Sequence, residues 1–367
     1  MSVTAAGLAQ RLVRDDVRAA SAYQVQETRG LIRLDQMENP YGWPQEMRGI
    51  LADRLAAAQA NRYPDPRALA VQQGLREAFG IPSRWSLMLG NGSDEIIQIL
   101  TTTLAGPDAR VMAPSPAFVM FRVLAGQARM AYDEVPLDAD FGLDADAMCA
   151  ALATHRPRLL FIACPNNPTG NMFDAEALGR VLDAASDTLV VIDEAYWAYS
   201  SRDHLAWLDR HPNLVIMRTL SKLGLAGLRL GFLVGDPAWI GEFDKVRLPY
   251  NVGVLHQTAA EVALAHFGLL REQTRLIATE RARLAGILAM DPRLHLWPGE
   301  ANFLLVRVLR GRAKDVHSAM IRHGVLVKCL DGGNPRLAGC LRLGVGTPDE
   351  NAKMLSALDA ALGEVQG

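Results

Sequence analysis

Cysteine is scarce in this sequence. Four of the 367 residues are cysteine, at positions Cys149, Cys164, Cys329 and Cys340. They form no CxxC pair, and no histidine cluster has the spacing of zinc ligands, so the sequence indicates neither a disulfide framework nor a structural metal. We expect them to be small apolar residues of the interior.

An excess of charge of one sign is also missing. The 38 lysines and arginines nearly balance the 40 aspartates and glutamates, which leaves a formal net charge of −2. This balance excludes an overall field that would attract nucleic acid or an anionic membrane. An anionic ligand would have to be bound at a local site.

Long hydrophobic runs are absent as well. No uninterrupted apolar run approaches the roughly 20 residues that span a bilayer. Arg11, Arg14, Asp15 and Asp16 lie where a signal peptide would need its apolar core. We therefore expect a soluble protein of the reducing cytoplasm.

Two common phosphate-binding loops are missing too. The sequence has no GxxxxGK[ST] loop, and GNGSDE at 90–95 lacks the third glycine of GxGxxG. A carboxylate of VIDEAY at 191–196 would bind a metal beside a nucleotide only if such a loop held the phosphates. This metal–nucleotide interpretation therefore fails.

Short apolar runs bounded by turn residues are abundant. They recur between residues 110 and 235, as VMA at 111–113, LLFIAC at 159–164, LVVID at 189–193, LVIM at 214–217 and LGFLVG at 230–235. Such runs are typical of strands buried on both faces. Stretches of helical composition, such as 174–185, separate several of them, which predicts an α/β fold with a mainly parallel sheet.

The pattern changes after residue 253. Two long helical stretches are predicted at about 255–270 and 273–290, and Ile277, Leu284 and Leu288 share one face of the second. Strands resume at 301–308, 324–328 and 340–346.

The length exceeds what one hydrophobic core usually supports, so we expect two domains. Residues 41–252 would form a large domain, residues 253–367 a smaller C-terminal domain, and residues 1–40 a segment that packs on the smaller one.

Polar clusters follow several of the predicted strands. They are GNGSDEIIQIL at 90–100, CPNNPTG at 164–170, VIDEAY at 191–196 and RTLSKLGLAGLRLGF at 218–232. Each has an ordinary interpretation when taken alone: Ser93 or Asp94 as a helix cap, Asn167 in a turn, Lys222 as a solvated loop charge. Ligands of parallel sheets gather beyond the carboxyl ends of the strands, so the four clusters together predict one site.

The order of these motifs resembles that of the fold-type-I pyridoxal-phosphate aminotransferases. Within that superfamily the chain is most similar to the histidinol-phosphate aminotransferase family, through RYPDP at 62–66, ANFLLVR at 301–307 and CLRLGVGTPDEN at 340–351. The resemblance extends from Tyr23 to Asn351. It implies a large cofactor-binding domain with a mixed, mainly parallel sheet flanked by helices, and a smaller α+β domain.

The resemblance implies pyridoxal 5′-phosphate as cofactor and assigns three catalytic residues. Lys222 would hold the cofactor covalently through its amine and later shuttle a proton. Asp193 would keep the pyridine nitrogen protonated. Tyr196, together with Asn167, would hydrogen-bond the phenolic oxygen of the ring.

By the same resemblance, Phe118 would stack on the ring. The cofactor phosphate would be bound by Arg229 and Ser221, with the backbone of Gly92, Ser93 and Asp94 at the start of the helix. An arginine suits this role because its planar fork meets two phosphate oxygens at once. Arg229 follows Lys222 by seven positions, which implies a loop one residue shorter than in some relatives.

Tyr63 of RYPDP matches a residue that in the family crosses from the neighbouring subunit to the cofactor phosphate. The active unit would then be a homodimer. The alternative is that Tyr63 is an aromatic residue of a proline-rich surface turn, and in that case the sequence does not support the dimer.

The substrate residues implied by the resemblance are Tyr23, Asn39, Asn167 and Arg342. Arg342 would bind the phosphate of histidinol phosphate in one half-reaction and a carboxylate of glutamate or 2-oxoglutarate in the other. Asn302 would steady the same region. Met37 replaces an asparagine that many family members carry, although Glu38, Asn39 and Pro40 remain.

The implied function is transfer of an amino group between L-histidinol phosphate and 2-oxoglutarate, a step of histidine biosynthesis. Two alternatives use the same cofactor site, namely an aromatic amino acid aminotransferase and a threonine-phosphate decarboxylase. A third is a non-catalytic regulator that keeps the fold as a ligand sensor.

Overall fold

A computed structural model describes residues 4–21 and 29–366 of the chain. Its helices are α1 Ala5–Leu12, α2 Asp15–Ala19, α3 Gln45–Ala56, α4 Leu69–Phe79, α5 Ser93–Leu104, α6 Val119–Gln127, α7 Ala145–His155, α8 Ala175–Ala184, α9 Pro237–Asp244, α10 Val254–Ala265, α11 Phe267–Leu288, α12 Ala313–Arg322 and α13 Pro348–Gln366. Short 3₁₀ turns lie at Trp197–Tyr199, Leu205–Asp209, Ser221–Leu223, Ala226–Leu228 and Pro335–Leu337.

The strands are β1 Ile32–Arg33, β2 Ser86–Gly90, β3 Arg110–Ser115, β4 Ala131–Pro136, β5 Leu159–Ala163, β6 Leu189–Asp193, β7 Leu214–Thr219, β8 Gly231–Gly235, β9 Leu294–Trp297, β10 Phe303–Val308, β11 Val325–Leu326, β12 Lys328–Cys329 and β13 Cys340–Gly344. The predicted apolar runs at 111–113, 159–164, 189–193, 214–217 and 230–235 all coincide with strands of one sheet.

The large sheet has seven strands in the order β2-β8-β7-β6-β5-β3-β4. Strands β3 to β7 are parallel to their neighbours within this group, whereas β8 is antiparallel to both β7 and β2. The predicted α/β class with a mixed, mainly parallel sheet is confirmed. The apolar runs contain no alternation because β5, β6 and β7 are buried on both faces.

Four strands were not predicted, namely β1, β2, β4 and β9. β4 reads AYDEVP and lies at the edge of the large sheet, where polar side chains stay exposed. β2 reads SLMLG and forms the opposite edge, and its run LML is as long as the VMA of β3.

Alternate residues of the inner strands feed two cores on opposite faces of the sheet. Leu160, Ile162, Val190 and Ile192 belong to one cluster with residues of α4, α7, α8 and α10. Leu159, Phe161, Leu189 and Val191 belong to the other cluster with residues of α5, α6 and α9. The period-2 alternation of strands therefore decides which face each residue of β5 and β6 serves.

A second, smaller unit is built on the antiparallel sheet β12-β13-β10-β9. Its core gathers residues of α11, α12 and α13, including the predicted face of Ile277, Leu284 and Leu288. The predicted strand at 324–328 is divided, because β11 pairs in parallel with β1 while β12 pairs with β13.

Residues 32–34 join this smaller unit. Besides the β1–β11 pairing, Gly344 N–H donates to the carbonyl of Leu34 at 2.9 Å. Helix α10 lies after residue 253 but contributes Ala260 and Ala263 to the core of the large sheet. The domain boundaries at 40–41 and 252–253 stay a prediction.

None of the helices in the described part of the chain combines the length and the apolar character that a membrane span needs.

Ile277 offers a test of the small core. It is fully buried in α11, whereas its neighbour Leu276 is 38% exposed. We predict that Ile277→Ala lowers the free energy of unfolding by about 2–5 kcal/mol, because it removes buried methyl groups and leaves a cavity. The matched control Leu276→Ala should cost less than about 1 kcal/mol. Urea denaturation measures both, and equal losses would contradict this packing.

Candidate active site

Lys222 lies just beyond the carboxyl end of β7, in the turn Ser221–Leu223. The Tyr199 hydroxyl donates to the carbonyl of Lys222 at 2.6 Å, which holds the backbone of the turn. The Lys222 side chain is partly buried, and its Nζ donates to the carbonyl of Gln36 at 2.9 Å. The amine therefore points toward the 35–37 segment rather than into solvent.

Gly224 ends this turn with φ +99°, a conformation that L side chains rarely adopt. A Cβ at Gly224 would lie 2.9 Å from Nδ2 of Asn39. The Asn39 amide in turn donates to the carbonyl of Leu223 at 3.3 Å and to Oε1 of Gln273 at 3.0 Å. Asn39 thus holds the loop behind Lys222, and its role toward substrate stays a prediction.

Burial lowers the pKa of Lys222 to about 8, and the positive charge of Arg342 adds to the effect. Desolvation favours the neutral amine because the ammonium loses its hydration. A neutral amine has a lone pair and can attack a carbonyl or accept a proton. Near neutral pH a useful fraction of Lys222 is therefore nucleophilic.

Asp193 is the last residue of β6, the strand beside β7 in the sheet. Its side chain is 4% exposed, and burial raises its pKa to about 7. The N–H of Ala195 donates to Oδ1 at 3.0 Å and opposes the rise, whereas the nearby Asp94 and Glu194 charges add to it. A cationic partner beside Asp193 would lower this pKa again and favour the charged carboxylate.

Tyr196 and Asn167 lie at the same edge of the sheet. The buried Tyr196 ring packs edge-on against Phe303, with centroids 5.2 Å apart, and its centroid is 6.0 Å from Nζ of Lys222. Burial raises the pKa of the Tyr196 phenol above its usual value, so the hydroxyl remains a hydrogen-bond donor. Asn167 is buried in the loop after β5.

Arg342 joins the small sheet to this cluster. It projects from β13 and is buried, with Nη1 donating to Oδ1 of Asn167 at 2.5 Å and Nη2 donating to the carbonyl of Asp35 at 3.0 Å. Its guanidinium carbon lies 5.3 Å from the ring centroid of Phe303. A buried cation therefore lies within the group that also holds Asn167 and Tyr196.

An anion cradle forms where α5 begins. Gly92 occupies the cap position with φ +82°, and glycine has no side chain to bond the N–H groups of the first turn. A Cβ there would lie 2.6 Å from Nη2 of Arg229, and a Cβ at Gly231 would lie 2.8 Å from the backbone nitrogen of Ser93. The two glycines thus let β8 and the Arg229 guanidinium approach the positive end of the helix.

Asp94 and Ser221 complete the cradle. Nη2 of Arg229 lies 3.3 Å from Oδ2 of Asp94 in a half-exposed ion pair. The buried Ser221 hydroxyl lies 3.0 Å from Oγ1 of Thr219 and belongs to the same turn as Lys222. The sequence alone left Ser93 or Asp94 as the helix cap, but Gly92 takes that place and Ser93 begins the helix.

The remaining predicted residues are Phe118, Tyr63, Tyr23 and Asn302. Phe118 caps α6 after β3, with its ring edge-on to Phe121 at 5.6 Å. Tyr63 is 81% exposed and stacks on Tyr250 at 4.6 Å. Tyr23 lies outside the described residues. Nδ2 of Asn302 donates to the carbonyl of Met37 at 2.8 Å.

Several contacts were not predicted from the sequence. Gln36 and Asp35 act through backbone carbonyls, which any residue supplies, so no sequence signal identifies them. Tyr199 follows Tyr196 by three positions, and this spacing is a signal that could have been used. Lys328 stands directly opposite Arg342 in the β12–β13 pair, a relation that requires the strand register.

Comparison with known proteins identifies the family. Residues 29–358 match the model of the family described as aminotransferase class I and II. This chain belongs to that family. The match covers the described site from the 35–37 segment to Arg342, and it confirms the resemblance seen in the motifs.

Relatives agree in length and name. Histidinol-phosphate aminotransferase 1 of Burkholderia lata is 47% identical over 353 residues, which cover 96% of this chain and 98% of the relative. Histidinol-phosphate aminotransferase 2 of Cupriavidus pinatubonensis is 45% identical over 366 residues, covering 99% of this chain and all of the relative.

A solved structure agrees in fold. The histidinol-phosphate aminotransferase of Sinorhizobium meliloti, in complex with pyridoxal-5′-phosphate, superposes with a TM-score of 0.85 at 24% identity. The superposition covers 96% of this aminotransferase and 98% of that chain.

Asp193 gives this aminotransferase a testable pH dependence. Its carboxyl titrates near 3.8 when unfolded and near 7 when folded, so between these pH values the folded state binds the extra proton and stability falls as pH rises. We predict that Asp193→Asn, which carries no titrating carboxyl, raises the free energy of unfolding of the ligand-free protein at pH 8. At about pH 4 or below the gain should vanish. Urea denaturation at a series of pH values measures the difference, and a gain that does not vary with pH would contradict the assignment.

Proposed function

We propose that this chain is a pyridoxal 5′-phosphate-dependent aminotransferase that acts on L-histidinol phosphate and 2-oxoglutarate, giving imidazole acetol phosphate and L-glutamate. The observation that carries the proposal is the pairing of a buried amine with a buried carboxyl at the carboxyl edge of one sheet. Burial lowers the pKa of Lys222 to about 8 and raises that of Asp193 to about 7. Relatives of this name at 45–47% identity over nearly the whole chain support the substrate.

The donor set fits this cofactor in three separate ways. An amine with a lowered pKa suits an aldehyde, a buried carboxyl suits a protonated ring nitrogen, and the start of α5 with Arg229 suits a phosphate. Gly92 and Gly231 keep clear the space that a Cβ would fill at that cradle. When bound, the cofactor supplies an electron sink for negative charge at the substrate carbon.

Lys222 would hold the cofactor through its amine and, once released, would move a proton at the substrate carbon. Its pKa of about 8 suits both directions of proton transfer near neutral pH, because a general base works best when its pKa lies near the working pH. The free amine donates a hydrogen bond to the carbonyl of Gln36, 2.9 Å away.

Asp193 would keep the ring nitrogen protonated by presenting a carboxylate where water is excluded. Tyr196 and Asn167 would donate hydrogen bonds to the ring oxygen, and Phe118 would cover the ring face. Arg229 and Ser221, together with the backbone N–H groups of Gly92, Ser93 and Asp94, would bind the phosphate.

A phosphate-bearing substrate is favoured by the cations of the small sheet. Arg342 and Lys328 are direct cross-strand partners, so their side chains leave the sheet on the same face. Like charges placed opposite each other are destabilising, although the exposure of Lys328 to solvent weakens the repulsion. A doubly charged phosphate would offset this repulsion better than the uncharged ring of an aromatic amino acid.

We further propose a cytoplasmic homodimer. Tyr63, which stacks on Tyr250, and the 70% exposed Leu248 give this side of the molecule an apolar surface. In a dimer, Tyr63 would reach the phosphate of the cofactor in the partner subunit.

Replacement of Lys222 tests the proposal. Lys222→Ala should abolish the absorbance band of covalently bound cofactor and lower kcat at least about a hundredfold, since the amine both holds the cofactor and moves the proton. Lys245→Ala, which removes an exposed lysine that pairs with Glu242 of α9, is the matched control and should keep both. Spectra of the reconstituted proteins and glutamate-coupled assays measure the effects. An unchanged band in Lys222→Ala would contradict the proposal.

Turnover of other substrates, with carbon dioxide release measured for threonine phosphate, separates the alternatives. Histidinol phosphate should be turned over faster than phenylalanine, and threonine phosphate should release no carbon dioxide. Absence of turnover with histidinol phosphate would refute the proposed substrate. Cofactor binding with no turnover of any amine would favour a non-catalytic regulator.

A further inference from the structure

A buried cluster of charged and polar side chains lies directly behind the proposed site. Glu194, His204 and Arg218 are 2%, 0% and 1% exposed. Oε2 of Glu194 accepts from Nε of Arg218 at 2.8 Å and lies 2.7 Å from Nη2. Oε1 accepts from the backbone N–H of His204 at 2.7 Å and from its Nδ1 at 2.8 Å. The Glu194 carboxylate thus links Arg218 of β7 to the loop at His204.

The register of β6 and β7 sets where this cluster lies. Asp193 pairs with Met217, and the Glu194 N–H donates to the Met217 carbonyl at 2.8 Å, which extends the pairing by one residue. Because side chains alternate along strands, Glu194 points to the face opposite Asp193, and Arg218 points to the face opposite Met217. The cluster is therefore one residue from Asp193 and on the other side of the sheet.

The cluster also ties down the loop that carries Tyr196. The guanidinium carbon of Arg218 lies 4.5 Å from the ring centroid of Trp197, and Nε1 of Trp197 donates to Oδ2 of Asp203 at 3.1 Å. Nη2 of Arg218 lies 3.4 Å from the same Oδ2. The 194–204 loop is thus fixed at both ends to β7, and Lys222 follows Arg218 by four positions.

Stability alone is a weak reason for such a cluster. Buried ion pairs are often no better than apolar residues of the same size, because desolvation offsets their attraction. Within the described residues, Nε2 of His204 and Nη1 of Arg218 have no hydrogen-bond partner although both are buried, which adds a further cost. What a directional cluster supplies, and an apolar core does not, is a fixed orientation of the backbone that bears it.

We propose that Glu194, Arg218 and His204 form a positioning unit that aims the Asp193 carboxylate at the ring nitrogen of the cofactor and holds Tyr196 beside it. This inference rests on the proposed function. The three residues do not touch the cofactor; they act through the backbone of 193–196. The charge of Glu194 contributes to the raised pKa of Asp193, so its removal by itself would favour the Asp193 carboxylate, and a loss of affinity in Glu194→Gln reports orientation and not charge.

Cofactor affinity provides the test. Glu194→Gln keeps the shape of the side chain and removes its charge. The dissociation constant of pyridoxal 5′-phosphate from the otherwise complete chain should rise about tenfold, since contacting residues of one network typically couple by a kcal/mol or more. The matched control is Asp133→Asn, which breaks the ion pair with Arg110 between β3 and β4 of the same sheet, away from the site. It should leave the dissociation constant unchanged.

A cofactor analogue separates positioning from general loosening. In 1-deazapyridoxal 5′-phosphate a carbon replaces the ring nitrogen, so Asp193 has nothing to bind. If the cluster acts through Asp193, Glu194→Gln should lose clearly less affinity for this analogue than for pyridoxal 5′-phosphate, and any loss that remains reports Tyr196, whose contact with the ring oxygen the analogue keeps. His204→Gln, which keeps the backbone N–H to Glu194, should show the same pattern with a smaller loss and serves if Glu194→Gln does not fold.

Two outcomes would overturn the inference. One is an equal loss of affinity for both compounds, which would show that the cluster only supports the fold. The other is no loss for either compound in a folded variant. A parent chain that binds neither compound would overturn the proposed function, and the inference with it.

Discussion

The site depends on the removal of water from one amine and one carboxyl. Lys222 and Asp193 lie beyond the ends of adjacent parallel strands, where the large sheet meets the smaller unit. Burial pushes the pKa of the amine down to about 8 and that of the carboxyl up to about 7, so each group is shifted toward its neutral form. A ligand with an aldehyde for Lys222 and a protonated ring nitrogen for Asp193 would remove the free-energy cost of burying these two groups. The ligand-free site therefore favours a ligand that carries both groups.

The smaller unit supplies the other half of the environment. Arg342 reaches from β13 to Asn167 of the large sheet and to the carbonyl of Asp35, and Gln36 next to it accepts from Lys222. Segment 35–37, strand β13 and the turn of Lys222 are therefore linked by direct hydrogen bonds. A ligand that binds Arg342 would act on the same network that holds the free amine.

Much of this arrangement follows from the sequence. The inner strands β5, β6 and β7 were predicted because strands buried on both faces need uninterrupted apolar residues, and the polar residues that end them mark the site. The edge strand β4 was not predicted, since an exposed edge strand has no such requirement. β2 was also missed, although its run LML is buried. The run at 324–328 reads as one strand but divides between two partners, a choice made by β1 and β13 rather than by local sequence.

Contacts made through the backbone were equally hidden. The carbonyls of Asp35 and Gln36 could belong to any residue type, and only the fold places them near Arg342 and Lys222. Cross-strand relations such as Lys328 opposite Arg342 need the register. Family resemblance named the residues of the site, whereas the structure adds the partners that hold them.

The central claim is that the amine of Lys222 is the group that bears the cofactor. Borohydride reduction of the reconstituted protein, followed by digestion and mass spectrometry, locates that group among the five lysines of the chain. The modified peptide should contain Lys222. Modification at Lys245, Lys314, Lys328 or Lys353 instead, or no modified peptide at all, would contradict it.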